Sequence, residues 1–121
     1  MKFVLLICAD PTIVPDDAFV KGCEGWTEEM QERGVLLDGG MGLRSPAEAR
    51  TVRVRDDEVS VTDGPFAETK ELIGGLTLID CADLDEAVKI ASSHPSARYG
   101  ALEIRPLWDP THNPTPPWEQ P

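Results

Sequence analysis

Two side chains in this sequence have the chemistry of a general acid–base pair, Asp63 and His94. Asp63 belongs to a Thr62-Asp-Gly-Pro65 turn, which would hold its carboxylate in a fixed direction. An unperturbed histidine titrates near neutrality, so His94 can exchange a proton at physiological pH. We predict that Asp63 and His94 face a shared pocket near the open sheet edge and act as base and acid. The alternatives are a purely structural turn and a histidine that caps a helix at the surface.

Five further residues are candidates for ligand binding. Cys23 lies on the predicted first helix, and Gly40 lies in a glycine-rich segment that allows a close backbone approach at a pocket rim. Arg53 can bind a carboxylate through two parallel hydrogen bonds, Phe66 drops inward after the turn, and Lys70 would line a pocket mouth. The alternative for each is structural: a core thiol, a backbone packing site, a core ring, or a cation paired with the surplus of acidic residues.

The sequence lacks the motifs of metal, nucleotide and covalent chemistry. No cluster of His, Cys, Asp and Glu has the spacing of metal ligands, and no G-x-S-x-G segment could form a nucleophile elbow. The glycine-rich segment 39–42 is predicted to form a flexible loop, but it has neither the lysine nor the helix start of a phosphate-binding loop. We therefore expect no metal and no other cofactor.

Acidic residues dominate the charge. The chain has 22 Asp and Glu against 11 Lys and Arg, a formal net charge of -11. Binding to nucleic acid or to an anionic membrane needs a surplus of cations, so we expect neither partner. Cys8, Cys23 and Cys81 are far apart and show no C-x-x-C spacing, which indicates reduced thiols and a cytoplasmic location. The apolar segment 1–8 is too short for a signal peptide or a membrane span.

The first half of the chain predicts a strand, a helix and a hairpin. An apolar run over residues 2–9 predicts a buried strand, which Asp10-Pro11 ends. Apolar residues then recur at helical steps up to Gly34, which predicts a helix: Phe19, Cys23, Trp26 and Met30. A second strand begins at Val35, and alternating residues on either side of Asp56-Asp57 predict a hairpin.

The second half predicts a strand, a helix and a strand. Residues 72–80 form a nearly continuous apolar run, and Asp83 to Glu86 is a capping box that begins a second helix. Residues 99–106 alternate as a last strand. The order βαββ(β)βαβ is that of a ferredoxin-like α+β domain with an antiparallel sheet, over residues 1–106. A proline-rich, extended tail follows at 107–121.

The predicted sheet has one face without a cover. Its two helices lie on the other face, so the open face needs a partner surface. A second copy of the chain commonly supplies one in small domains, and we predict a homodimer. We also expect at least one of Trp108 and Trp118 to pack on the domain or on the second copy.

The run Val61-Thr-Asp-Gly-Pro-Phe-Ala-Glu-Thr-Lys-Glu71 resembles the signature of the DGPF branch of the YCII-related proteins. Thr51-Val-Arg-Val-Arg55, Asp83-Leu-Asp-Glu-Ala87 and Glu103-Ile-Arg-Pro106 are similar to the family as well. The resemblance covers residues 1–108. It implies a dimeric α+β barrel of a bacterial family, often encoded beside sigma factors, whose biochemical role is mostly unassigned.

The resemblance also implies where acid–base chemistry would lie in the wider group. Those proteins carry a His on the first helix and an Asp before a Pro after the second helix. In this chain Cys23 and His94 stand at about those places, so the dyad is not reproduced. A thiol on an apolar helix face is a poor base unless its pKa is lowered.

Two hypotheses about function follow. The first is a dimeric, non-catalytic module that binds a small molecule or docks to a partner protein in a regulatory role. The second is a small cofactor-free enzyme of the isomerase or lyase type, in which Asp63 and His94 are base and acid. The missing dyad and the lack of a dedicated nucleophile favour the module.

Overall fold

The computed structural model describes residues 1–10, 12–65 and 72–121. Its main elements in chain order are β1 (Lys2–Ala9), α1 (Asp17–Glu32), β2 (Leu36–Gly42), β3 (Arg50–Arg55), β4 (Glu58–Asp63), β5 (Leu72–Asp80), α2 (Leu84–Ser92), α3 (Ser96–Tyr99) and β6 (Gly100–Pro106). Short 3-10 turns lie at Pro46–Glu48 and Pro117–Glu119.

Four strands form the main sheet in the order β2-β5-β1-β6, and each neighbouring pair is antiparallel. The strands β3 and β4 form a separate two-stranded hairpin, which lies between β2 and β5 in the sequence. Without the hairpin, the element order and the strand order are those of a split βαβ unit. The predicted ferredoxin-like α+β class is therefore confirmed.

Both long helices begin at a capping aspartate, and α1 ends at the predicted Gly34. Asp16 Oδ1 accepts the Phe19 backbone N–H at 2.8 Å at the start of α1, and Asp83 Oδ1 accepts that of Glu86 at 2.8 Å at the start of α2. At the end of α1, Gly34 adopts a φ of 71°, and the Val35 N–H donates back to the Met30 carbonyl at 3.1 Å. A residue without a Cβ takes this left-handed conformation at little cost.

The core lies between the sheet and the helices. Its buried apolar side chains come from β1, α1, β5 and α2: Phe3, Leu5, Trp26, Met30, Ile79, Ala87, Ile90 and Ala91. The indole N–H of Trp26 donates to the Ile90 carbonyl and to Ser93 Oγ, both at 3.1 Å. This hydrogen bonding ties α1 to the end of α2.

The opposite face of the sheet carries one apolar row with a charge at each end. The registers place Asp38 of β2, Leu78 of β5, Val4 of β1 and Arg105 of β6 side by side. Val4 alternates with the buried Phe3 and Leu5, so this row points away from the helices. Asp38 and Arg105 thus mark the two edges of the open face.

The hairpin has an apolar face of its own. Asp56 and Asp57 form its turn with φ angles of 51° and 62°, which matches the predicted turn. The register pairs Val52 with Val61 and Val54 with Val59, so four valines share one side. We call these four residues the valine face. All four side chains are more than half exposed.

Residues 107–121 are folded rather than extended, contrary to our expectation. The Leu107 N–H continues the β6 pairing to the Lys2 carbonyl at 2.9 Å. Trp108 donates from Nε1 to the Asn113 carbonyl at 2.7 Å and meets Trp118 edge to face, with ring centroids 6.2 Å apart. Side-chain hydrogen bonds at Asp109 turn the chain back, which a count of prolines does not reveal.

The glycine-rich segment also differs from its predicted form. Residues 39–42 belong to β2 and pair with β5 through an irregular register, instead of forming a loop. A Cβ added at Gly75 would lie 2.9 Å from the Met41 carbonyl oxygen, so the close approach of these strands requires glycine there. No helix in the described part of the chain is long and apolar enough to cross a membrane.

Candidate ligand-binding cleft

A small cleft opens at the end of the sheet where β1 stops and β6 starts. Its volume is about 70 Å³. Four segments build it: the end of β1, residues 12–15, the start of α1, and α3 with the first residue of β6. The described residues that line it are Cys8, Ala9, Asp10, Ile13, Val14, Pro15, Asp16, Phe19, Ser96, Tyr99 and Gly100.

Ser96 is the buried polar residue of this cleft. Only 6% of its surface is exposed, and its side-chain hydroxyl makes no hydrogen bond to the described residues. Among the described residues the buried side-chain oxygen without a partner is Thr77 Oγ1, so Ser96 Oγ reaches the open space of the cleft. The Ser96 hydroxyl is therefore available to a ligand in the cleft.

Two aromatic rings form an apolar wall. Phe19 of α1 meets Tyr99 of α3 edge to face, with ring centroids 5.6 Å apart and an interplanar angle of 79°. This edge-to-face geometry is favourable for aromatic pairs. The wall can hold an apolar group while Ser96 hydrogen-bonds to a polar one.

Asp10 supplies a carboxylate held by its own turn. Its Oδ1 accepts the Thr12 hydroxyl at 2.7 Å and the Thr12 backbone N–H at 2.8 Å. Both hydrogen bonds lower the pKa of Asp10 below its usual value, and the bond from the Thr12 hydroxyl has the larger effect. The cleft therefore carries a fixed negative charge at neutral pH.

His94 lies directly behind Ser96 and not at the surface. Its Nδ1 accepts the Ser96 backbone N–H at 3.0 Å, and its ring packs edge-on against Trp26 with centroids 4.8 Å apart. Burial lowers the pKa of His94, so the imidazole is neutral at pH 7. His94 is therefore not a charged surface cap, the form that a helix dipole would favour. His94 positions the backbone of Ser96.

Asp63 lies at the end of the hairpin, with its side chain 90% exposed. Its Oδ1 pairs with Arg50 Nε at 3.2 Å, and Thr51 Oγ1 donates to the Gly64 carbonyl at 2.9 Å beside it. Within the described residues of one chain, no hydrogen bond or ion pair joins Asp63 to His94. The predicted acid–base pairing of these two residues stays a prediction.

The other predicted ligand contacts lie apart from the cleft lining or outside the described residues. Burial, and then the charge of Glu24, raise the pKa of Cys23 on α1, so its thiol stays protonated. At Gly40 in β2 a Cβ would lie 3.8 Å from Thr27 Oγ1, and Arg53 lies exposed on the hairpin.

Two of the predicted contacts, Phe66 and Lys70, lie outside the described residues. Within residues 1–10, 12–65 and 72–121, no three His, Cys, Asp or Glu side chains cluster closely enough to hold a metal ion.

Sequence reasoning missed the residues that line the cleft. Asp10 was interpreted only as the end of a strand, although Asp10-Pro-Thr12 is a pattern in which threonine hydrogen-bonds to the preceding carboxylate. Ser96 and Tyr99 lie on a four-residue helix, α3, that periodicity cannot detect. The Asp-Pro-Thr pattern is the one local signal that points here.

A search against known families matches residues 1–111 to the YCII-related domain. An uncharacterized protein of Rhizobium meliloti (strain 1021), R00369, is 51% identical over 61 residues. That match covers 49% of this chain and 49% of the relative, so this chain matches about half of the relative's length.

A solved structure with a similar fold is 5-chloro-2-hydroxyhydroquinone dehydrochlorinase, TftG, of Burkholderia phenoliruptrix AC1100, in complex with 2,5-dihydroxybenzoquinone. The TM-score is 0.53 at 11% sequence identity, over 93% of this chain and 99% of TftG. This likeness concerns the fold. The family match spans nearly the whole chain and agrees with the sequence signature, and the chain belongs to the YCII-related domain family.

Proposed function

We propose that this chain is a homodimeric, small-molecule-binding module whose ligand occupies the cleft between β1, α1 and α3. The observation that carries the proposal is Ser96, a residue that is 6% exposed, lines the cleft and has no described hydrogen-bond partner for its hydroxyl. The Phe19–Tyr99 wall adds the apolar surface that small-molecule sites usually have. In this proposal the ligand binds without being chemically converted and without a cofactor.

The open sheet face supports the homodimer. Its centre is apolar, with Val4 and Leu78 side by side, and its two edges carry opposite charges at Asp38 and Arg105. Neither charge has an ion-pair or hydrogen-bond partner in the described part of the chain. A two-fold axis parallel to the strands would place β6 of one copy over β2 of the other. Arg105 of each copy would then face Asp38 of the other, over a buried apolar centre.

A regulatory role fits this arrangement. Ligand binding at the cleft would stabilise the folded dimer and could change its contact with a partner protein. We also propose a cytoplasmic location, which fits the lack of a disulfide among Cys8, Cys23 and Cys81 in the described residues. We also propose residues 1–106 as the binding domain and 107–121 as an accessory tail.

A thermal-shift screen against a metabolite library tests the binding proposal. The screen uses wild type, Ser96→Ala and Asp63→Asn. We expect at least one compound to raise the melting temperature of wild type and of Asp63→Asn, and the shift to shrink in Ser96→Ala. Ser96→Ala should keep its basal stability, because the hydroxyl it loses has no described partner. The proposal fails if no compound shifts wild type, or if Ser96→Ala responds as wild type does.

The alternative is a small cofactor-free enzyme of the isomerase or lyase type. Its supporting observation is that the Ser96 N–H occupies Nδ1 of His94, which leaves Nε2 as the protonated, donating nitrogen. His94 would then be the acid, and Asp63 of a second copy would be the base. TftG, which shares the fold, is named as a dehydrochlorinase.

Conversion of bound compounds separates the two functions. Any compound that shifts the melting temperature is incubated with the protein and followed by NMR. The enzyme hypothesis expects conversion by wild type and a loss of about 100-fold or more in Asp63→Asn and in His94→Asn. A compound that binds and is recovered unchanged supports the module.

A further inference from the structure

The charges around the cleft have one sign. Asp10 and Asp16 are the ionisable carboxylates in its lining, and among the described lining residues there is no lysine, arginine or histidine. The Thr12 hydroxyl and N–H keep Asp10 ionised well below neutral pH. The whole chain adds a net charge of -11. An anionic ligand would therefore be repelled both at long range and at the cleft.

The start of α1 is the one feature nearby that would attract an anion. A helix N-terminus carries a partial charge of about +0.5. Asp16 already caps this end, since its Oδ1 accepts the Phe19 N–H at 2.8 Å, and Asp17 lies in the first turn. Two full negative charges at Asp10 and Asp16 outweigh this half charge. The cleft as a whole favours a cation.

Size and polarity define the rest of the ligand. A volume of about 70 Å³ is room for roughly five to seven water molecules, and a molecule with one small ring and a short chain fills a similar space. Phe19 and Tyr99 offer apolar contact to a ring or a branched alkyl group. The Ser96 hydroxyl can accept a hydrogen bond from an ammonium or hydroxyl group as well as donate one.

We infer that the cleft selects its ligands by charge and takes a protonated amine that carries one small ring or branched apolar group. The apolar group lies against Phe19 and Tyr99, and the ammonium group lies between Asp10 and Ser96. The inference rests on the proposed function, because it names the ligand class of that same cleft. It excludes carboxylates of equal size.

Three probes of similar size test the selection: benzylamine, benzyl alcohol and benzoate. Their rings are the same, and their charges at pH 7.5 are positive, neutral and negative. Binding to the full-length protein is measured by ligand-observed NMR titration at low and high salt. We expect benzylamine to bind roughly fivefold more tightly than benzyl alcohol, and benzoate to bind more weakly than both. High salt should reduce the differences in affinity between the three probes, because it screens the charges.

The chain offers a matched control for the carboxylate. Asp109 forms the same turn, with Thr111 donating its N–H at 3.0 Å and its hydroxyl at 2.6 Å, but it lies outside the cleft. Asp10→Asn should weaken benzylamine binding roughly fivefold and leave benzyl alcohol unchanged, whereas Asp109→Asn should leave both unchanged.

The outcomes separate the inference from the proposed function. Charge selection is refuted if benzoate binds as tightly as benzylamine, or if Asp10→Asn changes the affinity for all three probes equally. Either result would still leave the cleft as a ligand-binding site. If no probe binds and no compound in the metabolite screen raises the melting temperature, the cleft is not a binding site and both proposals fail. Tight benzylamine binding that Asp10→Asn specifically weakens supports both.

Discussion

The indole of Trp26 packs edge-on against the imidazole of His94, with ring centroids 4.8 Å apart and an interplanar angle of 71°. Trp26 belongs to α1, and His94 follows α2, so the ring pair joins the two helices. The same imidazole accepts the Ser96 N–H. The position of Ser96 in the cleft therefore depends on a neutral, buried histidine.

Titration of His94 should make stability depend on pH. Burial lowers the pKa of His94 from 6.5 in the folded state. Below about pH 6.5 the unfolded chain binds a proton that the folded chain does not, so the free energy of unfolding falls there. The contribution is fully present above pH 6.5 and is lost as the pH drops toward the folded pKa.

Urea denaturation between pH 7.5 and 5.5 checks this dependence. His94→Asn keeps an acceptor near the position of Nδ1 and removes the titrating group, so its stability should fall less over this range. His112→Asn changes the other histidine of the chain, exposed in the tail, and should behave as wild type does. Equal pH profiles for wild type and His94→Asn would contradict the prediction.

Trp26→Phe should destabilise the fold by about 2 kcal/mol. The variant loses the indole N–H that donates to the Ile90 carbonyl and Ser93 Oγ, and it leaves space beside His94. Urea denaturation followed by far-UV circular dichroism avoids the change in tryptophan fluorescence. Trp118→Phe, at a ring that is 79% exposed, should stay within about 0.5 kcal/mol of wild type. Equal effects of the two substitutions would show that Trp26 is not a core residue.

Two glycines of the same helix region should respond in opposite directions to alanine. Gly25 lies within α1 and a Cβ there meets nothing within 4 Å, so Gly25→Ala should raise the free energy of unfolding by about 0.5–1 kcal/mol. Gly34 has a φ of 71°, so Gly34→Ala should lower it by about 1 kcal/mol or more. Far-UV circular dichroism in urea measures both. The same sign for both would refute this account of the helix end.

The proposed dimer predicts a charge-swap rescue. Arg105→Glu should raise the dimer dissociation constant at least about tenfold, because two glutamates would then face Asp38 of the opposite copies. Asp38→Arg combined with Arg105→Glu should restore dimerisation. Sedimentation velocity at several concentrations measures the effect, and Arg98→Glu on α3 serves as the control. A monomeric wild type, or no effect of Arg105→Glu, would remove this face from the proposal.

Periodicity predicted most of the fold because each long element carries its own local signal. The α1 face at Trp26 and Met30, the cap at Asp83 and the turn at Asp56-Asp57 all formed as expected. The tail did not, since its turn depends on the side chain of Asp109 and not on a repeating pattern.

The candidate site was harder to predict than the fold. The cleft combines four segments, and each of its polar residues has a plain local explanation: Asp10 ends a strand, Asp16 caps a helix and Ser96 follows a proline. Only their convergence at the end of the sheet makes a pocket. His94 stands out in the sequence because an unperturbed histidine titrates near neutrality, but its burial, which decides its charge, is a tertiary property.

The valine face has a consequence for how the protein behaves at high concentration. Two short strands with alternating valines and no described neighbour at either outer edge are a template for pairing with other chains. Arg53 and Arg55 alternate with the valines on β3, and Asp56 and Asp57 cap the ribbon. Charges in these positions are gatekeepers against fibril-like stacking. Colloidal stability thus depends on a few charged residues that contribute nothing to the core.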